Sequence, residues 1–175
     1  MSLAALWKGQ ITVVTVLEFP PGLNPDYPVN QQYLADRMRD AVEQLTDFKW
    51  RMAPRGLEIA TRIKTGIPSE QVVNAAQEEQ TDLIILGTRG KTGLAHVLLG
   101  STAERVIRTA PCPVLAVHGE QEKKSAEPRV TLERILVPID FSDCSLDALE
   151  YAVLVAKQSD ASLELLHILE PISYG

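Results

Sequence analysis

Residues 82–108 constrain the fold more than any other stretch. The apolar run Leu83 to Leu86 stops at Gly87, a glycine-containing loop follows, and Gly100-Ser101 opens a segment of helical spacing in which Val106 follows Thr102 by four. This is a strand, a loop and a helix start. The first-turn N–H groups of a helix lack internal partners, and the helix dipole favours negative charge there. Ser101, Thr102 and Ala103 would present such groups to an anion. Glycine at 87, 90 and 100 lets the backbone approach that anion and permits positive φ in the loop, and the Ser101 hydroxyl can add a hydrogen bond or cap the helix.

Two common phosphate loops do not match. A Walker loop ending in Gly90-Lys91-Thr92 needs glycine where the chain has Ile85, and the dinucleotide pattern fails because Arg89 stands two residues after Gly87. What remains is Gly87-x2-Gly90-x9-Gly100-Ser101, which resembles the nucleotide-binding pattern of the universal stress protein family.

The rest of the chain alternates in the same way. Ile11 to Phe19 is β-branched and apolar almost throughout, as in a strand buried on both faces. Pro20 to Pro28 is a loop. From Asn30 an apolar stripe of Leu34, Met38, Val42 and Leu45 predicts a helix, with Trp50 and Met52 packed under its end. Leu57 to Ile63 alternates like an edge strand. Gly66 to Ser69 starts a helix through Gln80, with Pro68 where a missing N–H costs little and Ile67, Val72, Val73 and Ala76 available to the core. After the glycine segment and its helix, Val114 to Val117 is a further strand. Strand and helix alternating in this way imply a parallel sheet with helices on both faces.

A charged stretch follows, reading as a linker over 119–133. Arg134 to Asp140 is again a buried strand, ending in an aspartate where open α/β sheets bind ligands. Ser142, Asp143 and Ser145 offer helix caps, Leu146, Leu149, Val153 and Ala156 make an apolar face, and Leu163 to Leu169 is a last strand. This last strand resembles the first: Leu17-Glu18 falls on Leu169-Glu170, an offset of 152 residues, about one α/β domain plus a linker. The chain therefore reads as a domain over 1–118 lacking its first strand, the linker, and the first strand-helix-strand of a following repeat over 134–175, as in a piece of a tandem or a permuted domain.

Rearranged as 134–170 followed by 11–117, the segments resemble one universal stress protein domain, most strongly in Val137-Pro138-Ile139-Asp140-Phe141-Ser142 and in the glycine pattern. The resemblance implies a Rossmann-like open parallel five-stranded sheet of order 3-2-1-4-5, here with strand 1 supplied by the C-terminal segment. It also implies ATP, with or without Mg²⁺, as ligand. Asp140 would hydrogen-bond the ribose or lie near the phosphates, and Pro138 and Ile139 would line the adenine pocket. Val16, or its counterpart Ile168, would offer backbone groups to adenine, while Gly87, Arg89, Gly90, Gly100, Ser101 and Thr102 would surround the phosphates. The Arg89 guanidinium suits phosphate bidentately.

Connectivity departs from the family pattern, since Asp140 belongs to the following repeat. Fifteen linker residues reach about 50 Å, enough to insert its strand in cis, and two chains could instead exchange segments as a swapped homodimer. Either way Ile11–Leu17 and Leu163–Leu169 compete for the place of the second strand.

Composition narrows the function classes. A net charge of −6, a pI near 5.1 and only 5% aromatic residues argue against nucleic-acid binding, which needs a basic footprint. No apolar run reaches membrane-span length and no signal-peptide pattern opens the chain, so the expected place is the cytoplasm, away from membranes. Cys112 and Cys144 lack metal or redox spacing. Asp143, Asp147 and Glu150 read as helix-dipole residues, not a metal cluster. His96, His118 and His167 have no nucleophile or carboxylate at a recognisable spacing, so the expectation is a regulatory ATP-binding protein with, at most, slow hydrolysis. The alternatives are an interaction module pairing through Val114–Val117 without nucleotide, and a slow ATPase or a protein autophosphorylated at Ser101 or Thr102.

Overall fold

The computed structural model describes residues 7, 9–19, 27–53, 59–88, 99–118 and 132–169. Six strands and four helices are seen among them: β1 (Ile11–Leu17), α1 (Pro28–Met52), β2 (Ile59–Thr65), α2 (Pro68–Glu78), β3 (Ile84–Gly87), α3 (Ser101–Thr109), β4 (Val114–Val117), β5 (Arg134–Pro138), α4 (Asp143–Ser159) and β6 (Ser162–Leu166). The chain divides into two compact units, Gln10–Ala126 and Met1–Gly9 with Glu127–Gly175. Among the described residues no helix is long and apolar enough to cross a membrane.

In the larger unit α1 and α2 begin at Pro28 and Pro68, each proline in the first turn where its missing N–H goes unused. The buried stripe of α1 differs in one position from the predicted one: Ala41 and Leu45 are buried while Val42 is exposed, because after Leu34 and Met38 a step of three keeps the stripe on one face of a 3.6-residue helix. Trp50, expected to pack, is 75% exposed at the end of α1. The helix packs on β1 and β2, whose Leu17 and Ile59 are buried. Helix α2 lies against β1, β2 and α3. Its Ala76 joins Ile84 of β3 and the fully buried Val106 of α3 in a core completed by Val72, Leu86, Ala110, Cys112 and Val114. Glu79, just past α2, accepts from Thr12 Oγ1 at 2.9 Å and pairs with Arg62 Nε at 2.9 Å, tying the helix end to both β1 and β2.

The strands pair in parallel as β1 with β2, β3 with β4, and β5 with β6. Among the described residues the hydrogen bonds define three two-stranded parallel sheets, and β5 is bonded to β6 over Arg134↔Ser162 to Pro138↔Leu166. Closing the short connection from β5 to β6 costs about 1 kcal/mol less chain entropy than closing the much longer one from β1 to β5. One consequence is exposure where burial on both faces was expected. Most of β1 is half-buried, Leu136 of β5 is 56% exposed, and Leu165 and Leu166 of β6 are exposed.

The edges left without a partner among the described residues can be assigned, since successive residues of an extended strand turn their N–H and C=O to opposite edges. Leu17 O accepts from Gly66 N on the β2 side, so Thr12, Val14 and Val16 turn theirs to the unpaired edge of β1. Ile84 N and Thr88 N donate to Pro113 O and Val117 O. Ile85 and Gly87 therefore face the unpaired edge of β3.

Candidate functional site

Two strand-to-helix crossings carry the residues singled out from the sequence. The first runs from β3 to α3. Thr88 extends the β3–β4 ladder one residue past Gly87, its N–H donating to Val117 O at 3.0 Å, while its carbonyl accepts from Gly100 N–H at 2.9 Å. Gly100 is thereby drawn back beside the strand end as N-cap of α3. Its φ of −70° suits any residue. Positive φ, expected for the glycines, does not explain this one; the reason is space, since a Cβ there would stand 3.3 Å from the Thr88 carbonyl oxygen. Among the described glycines only Gly66 has positive φ.

Ser101 does not cap α3 as anticipated, because it is already the first helical residue, and no side chain caps the helix. The first internal bond is Glu104 N to Gly100 O, 2.9 Å. The N–H groups of Ser101, Thr102 and Ala103 therefore have no helical partner, and Ser101 and Thr102 are exposed. Arg89, Gly90 and His96 lie outside the described residues.

Thr88 is 8% exposed, and its Oγ1 lies 3.0 Å from Nδ1 of His118, the residue after β4. Neither Thr88 nor the partner of His118 was legible beforehand. Polar residues terminating two apolar runs, at the strand ends where α/β sheets place ligands, were the available signal.

The second crossing runs from β5 to α4. Pro138 ends the strand and is exposed. Ile139 N donates to Leu166 O at 2.8 Å, and Ile139 O lies 2.7 Å from His167 Nδ1. A carbonyl only accepts, so Nδ1 carries the proton. Asp140 Oδ1 accepts from Ser142 N at 3.0 Å and Ser142 Oγ at 2.6 Å. Ser142, the N-cap of α4, accepts in turn from Ser145 N at 3.3 Å. Ser145 Oγ donates back to Ser142 O at 2.9 Å. The Ser142 hydroxyl and then its N–H hold the Asp140 carboxyl down at about 2. Between them Phe141 sits at φ 65°, a left-handed conformation costing a non-glycine residue about 1–2 kcal/mol. Its ring lies 4.9 Å from that of His167, tilted by 59°. This pairing also bears on the competition between the two second strands: at the 152-residue offset His167 falls on Thr15, which has neither ring to stack nor reach to the Ile139 carbonyl.

Each crossing gathers its own group. Gly87, Gly100, Ser101 and Thr102 lie along the β3–α3 crossing, where Gly100 bonds Thr88, and Pro138, Ile139 and Asp140 lie along the β5–α4 crossing, where Ile139 bonds His167. Val16 lies near the end of β1, half-buried and paired in register with Lys64. Its counterpart Ile168 is 72% exposed. Among the described residues no group of three or more His, Cys, Asp or Glu could hold a metal.

The sequence profile of the universal stress protein family matches residues 1–118 and 131–175. Universal stress protein MJ0531 of Methanocaldococcus jannaschii is 31% identical over 118 residues, 67% of this chain and 69% of its own length. MJ0577 of the same organism is 35% identical over 97 residues, 55% of this chain and 60% of its length. The solved structure of MJ0577 superposes with a TM-score of 0.59 at 27% identity over 65% of this chain and 78% of that one. A longer universal stress protein from Archaeoglobus fulgidus aligns with 95% of this chain over 58% of its own, TM-score 0.69, and at 24% identity it shows the fold alone. The chain thus spans about six- to seven-tenths of these two M. jannaschii relatives. With its Rossmann-like α/β fold and the profile matching over 1–118 and 131–175, the chain belongs to the universal stress protein family.

Proposed function

We propose that this protein is an ATP-binding regulatory module whose phosphate site is the β3–α3 crossing. The observation carrying this reading is the α3 N-terminus, which has a glycine cap packed against the Thr88 carbonyl, no capping side chain among the described residues, and Ser101 and Thr102 exposed. Such an end suits an anion. A side chain at position 100 would crowd that approach, so the residues fit the phosphates. Ser101 and Thr102 supply hydroxyls and N–H groups, Gly87 the close backbone, and Arg89 and Gly90 the rest of the loop. Mg²⁺ would accompany ATP through the phosphates themselves.

Asp140 serves the other end of the nucleotide. A carboxylate that stays ionised down to about pH 2 accepts hydrogen bonds from ribose hydroxyls and repels phosphates, so of the two roles implied by family resemblance the ribose is favoured. Such a weak base is also poorly matched to general-base work near neutral pH, which favours binding over efficient hydrolysis. Pro138 and Ile139 would then flank adenine, with Val16 turning its free N–H and C=O toward it.

Bringing both groups to one nucleotide requires the family's five-stranded order, 3-2-1-4-5. The unpaired edges of β1 and β3 are where its strand 1 belongs. Segment 134–138 is that strand by motif, contributed in cis or by exchange between two copies. Association between copies has a second support in β4, whose Leu115 and Val117 are 40% and 47% exposed.

The test is calorimetric titration with ATP, with and without Mg²⁺, of this chain and of Gly100→Val, with mass by light scattering. Binding in the micromolar range that the variant loses is expected, together with a dimeric mass. A folded chain that binds no ATP overturns the nucleotide reading and leaves the interaction module.

A further inference from the structure

We propose that His118 is a positioning residue for the phosphate end of the site, acting through Thr88. The inference rests on the ATP reading for its functional consequence but on the geometry alone for the coupling itself. Thr88 is bonded through three groups to three partners: its N–H to Val117 of β4, its carbonyl to the α3 N-cap Gly100, and its hydroxyl to the His118 ring at the end of β4, at 3.0, 2.9 and 3.0 Å. The peptide carbonyl that holds Gly100 thus belongs to a residue whose side chain is itself held from the end of β4. Gly100 has little slack, since a Cβ there would already stand 3.3 Å from that carbonyl. Rotation of Thr88 would therefore displace the first turn of α3, and with it the N–H groups of Ser101, Thr102 and Ala103.

The coupling is specific to one ring atom. Nδ1 of histidine and the amide atoms of asparagine stand the same number of bonds from the backbone, so asparagine at 118 can bond Thr88 Oγ1, whereas leucine fills the same place without a polar atom. Either tautomer of His118 serves, because the threonine hydroxyl both donates and accepts.

The test has two arms. In the nucleotide-free chain, amide hydrogen exchange is followed residue by residue for wild type, His118→Leu and His118→Asn. The leucine variant is expected to exchange the Gly100 amide about 10-fold faster, the loss of one hydrogen-bond tether, with α1 amides unchanged and asparagine close to wild type. Unchanged exchange at Gly100 in His118→Leu, or equal acceleration everywhere, overturns the proposal whether or not the protein binds nucleotide. In the second arm ATP and adenosine are titrated into the same proteins. His118→Leu should weaken ATP about 5- to 10-fold and leave adenosine unaltered, with recovery in His118→Asn. Equal loss for both ligands would overturn the assignment to the phosphate end. If the wild type binds neither ligand, the ATP reading fails while the exchange arm still decides the coupling. Should His118→Leu not fold, Thr88→Val against Thr88→Ser applies the same comparison from the other partner.

Discussion

The two crossings are built on one plan and end with opposite chemistry. Both lead from a parallel strand into a helix, and in each a histidine at the end of the neighbouring strand bonds the turn, His118 to a side chain and His167 to a main-chain carbonyl. At α4 the helix end carries its own acceptors: Ser142 caps it, Ser145 reciprocates, and the Asp140 carboxylate sits on the cap. At α3 the cap is a glycine, and among the described residues no side chain contributes. A helix end that already carries its own acceptors has little to offer a phosphate, and one without them does. The difference is what the proposed division, phosphates at α3 and sugar beside α4, rests on.

The comparison is broken most directly by giving α3 the chemistry of α4. Gly100→Asp places a carboxylate on the first-turn N–H groups, and ATP affinity should fall about 100-fold or more, equivalent to about 2.8 kcal/mol, in calorimetric titration. Affinity within a factor of three of wild type would mean that the phosphates bind elsewhere. The converse change, Ser142→Ala, strips the cap from α4 and should cost about 1 kcal/mol in denaturant unfolding. Ser142→Gly should cost less, a few tenths, and a cost of Ser142→Ala indistinguishable from zero would show that this cap contributes nothing.

The same serine sets an acid response. The folded carboxyl of Asp140 lies at about 2, below its ordinary 3.8, so the stability it adds is fully present above about pH 4. It is lost as the pH falls toward 2. Carboxyl NMR titration of Asp140 should show the low value in wild type and a rise in Ser142→Ala; an unchanged value would assign the depression to another group. The smallest effect is expected at Phe141→Gly, where relief of a left-handed φ opposes loss of the His167 contact, with a net change of less than about 1 kcal/mol. A larger loss would mark the ring pair as the main support of the Asp140 turn.

The sequence by itself determined what depends on near neighbours. Pro28 and Pro68 mark helix starts, Ser142 a cap, and the spacing of Gly87, Gly90, Gly100 and Ser101 a family. The prolines and the cap rest on bonds or φ preferences within a turn, and the glycine spacing on a single strand-to-helix connection. Two local errors came from the same range: Val42 and Ala41 differ by one step on a helical face, and Gly100 was read as a conformational glycine when it is a spatial one, a distinction set by the Thr88 carbonyl.

Only the tertiary structure decided which strands pair and which polar groups meet. Nothing local distinguishes Ile11–Leu17 from Leu163–Leu169 as neighbour to β5; the shorter connection, the His167 bond to Ile139 and its ring contact with Phe141 favour β6. Thr88 and His118 are thirty residues apart and meet because β3 and β4 are adjacent. Exposure of Leu136, Leu115 and Val117 likewise follows from what lies beside each strand, since a β-branched or apolar run states only that it can be buried, while burial itself depends on the neighbour that covers it.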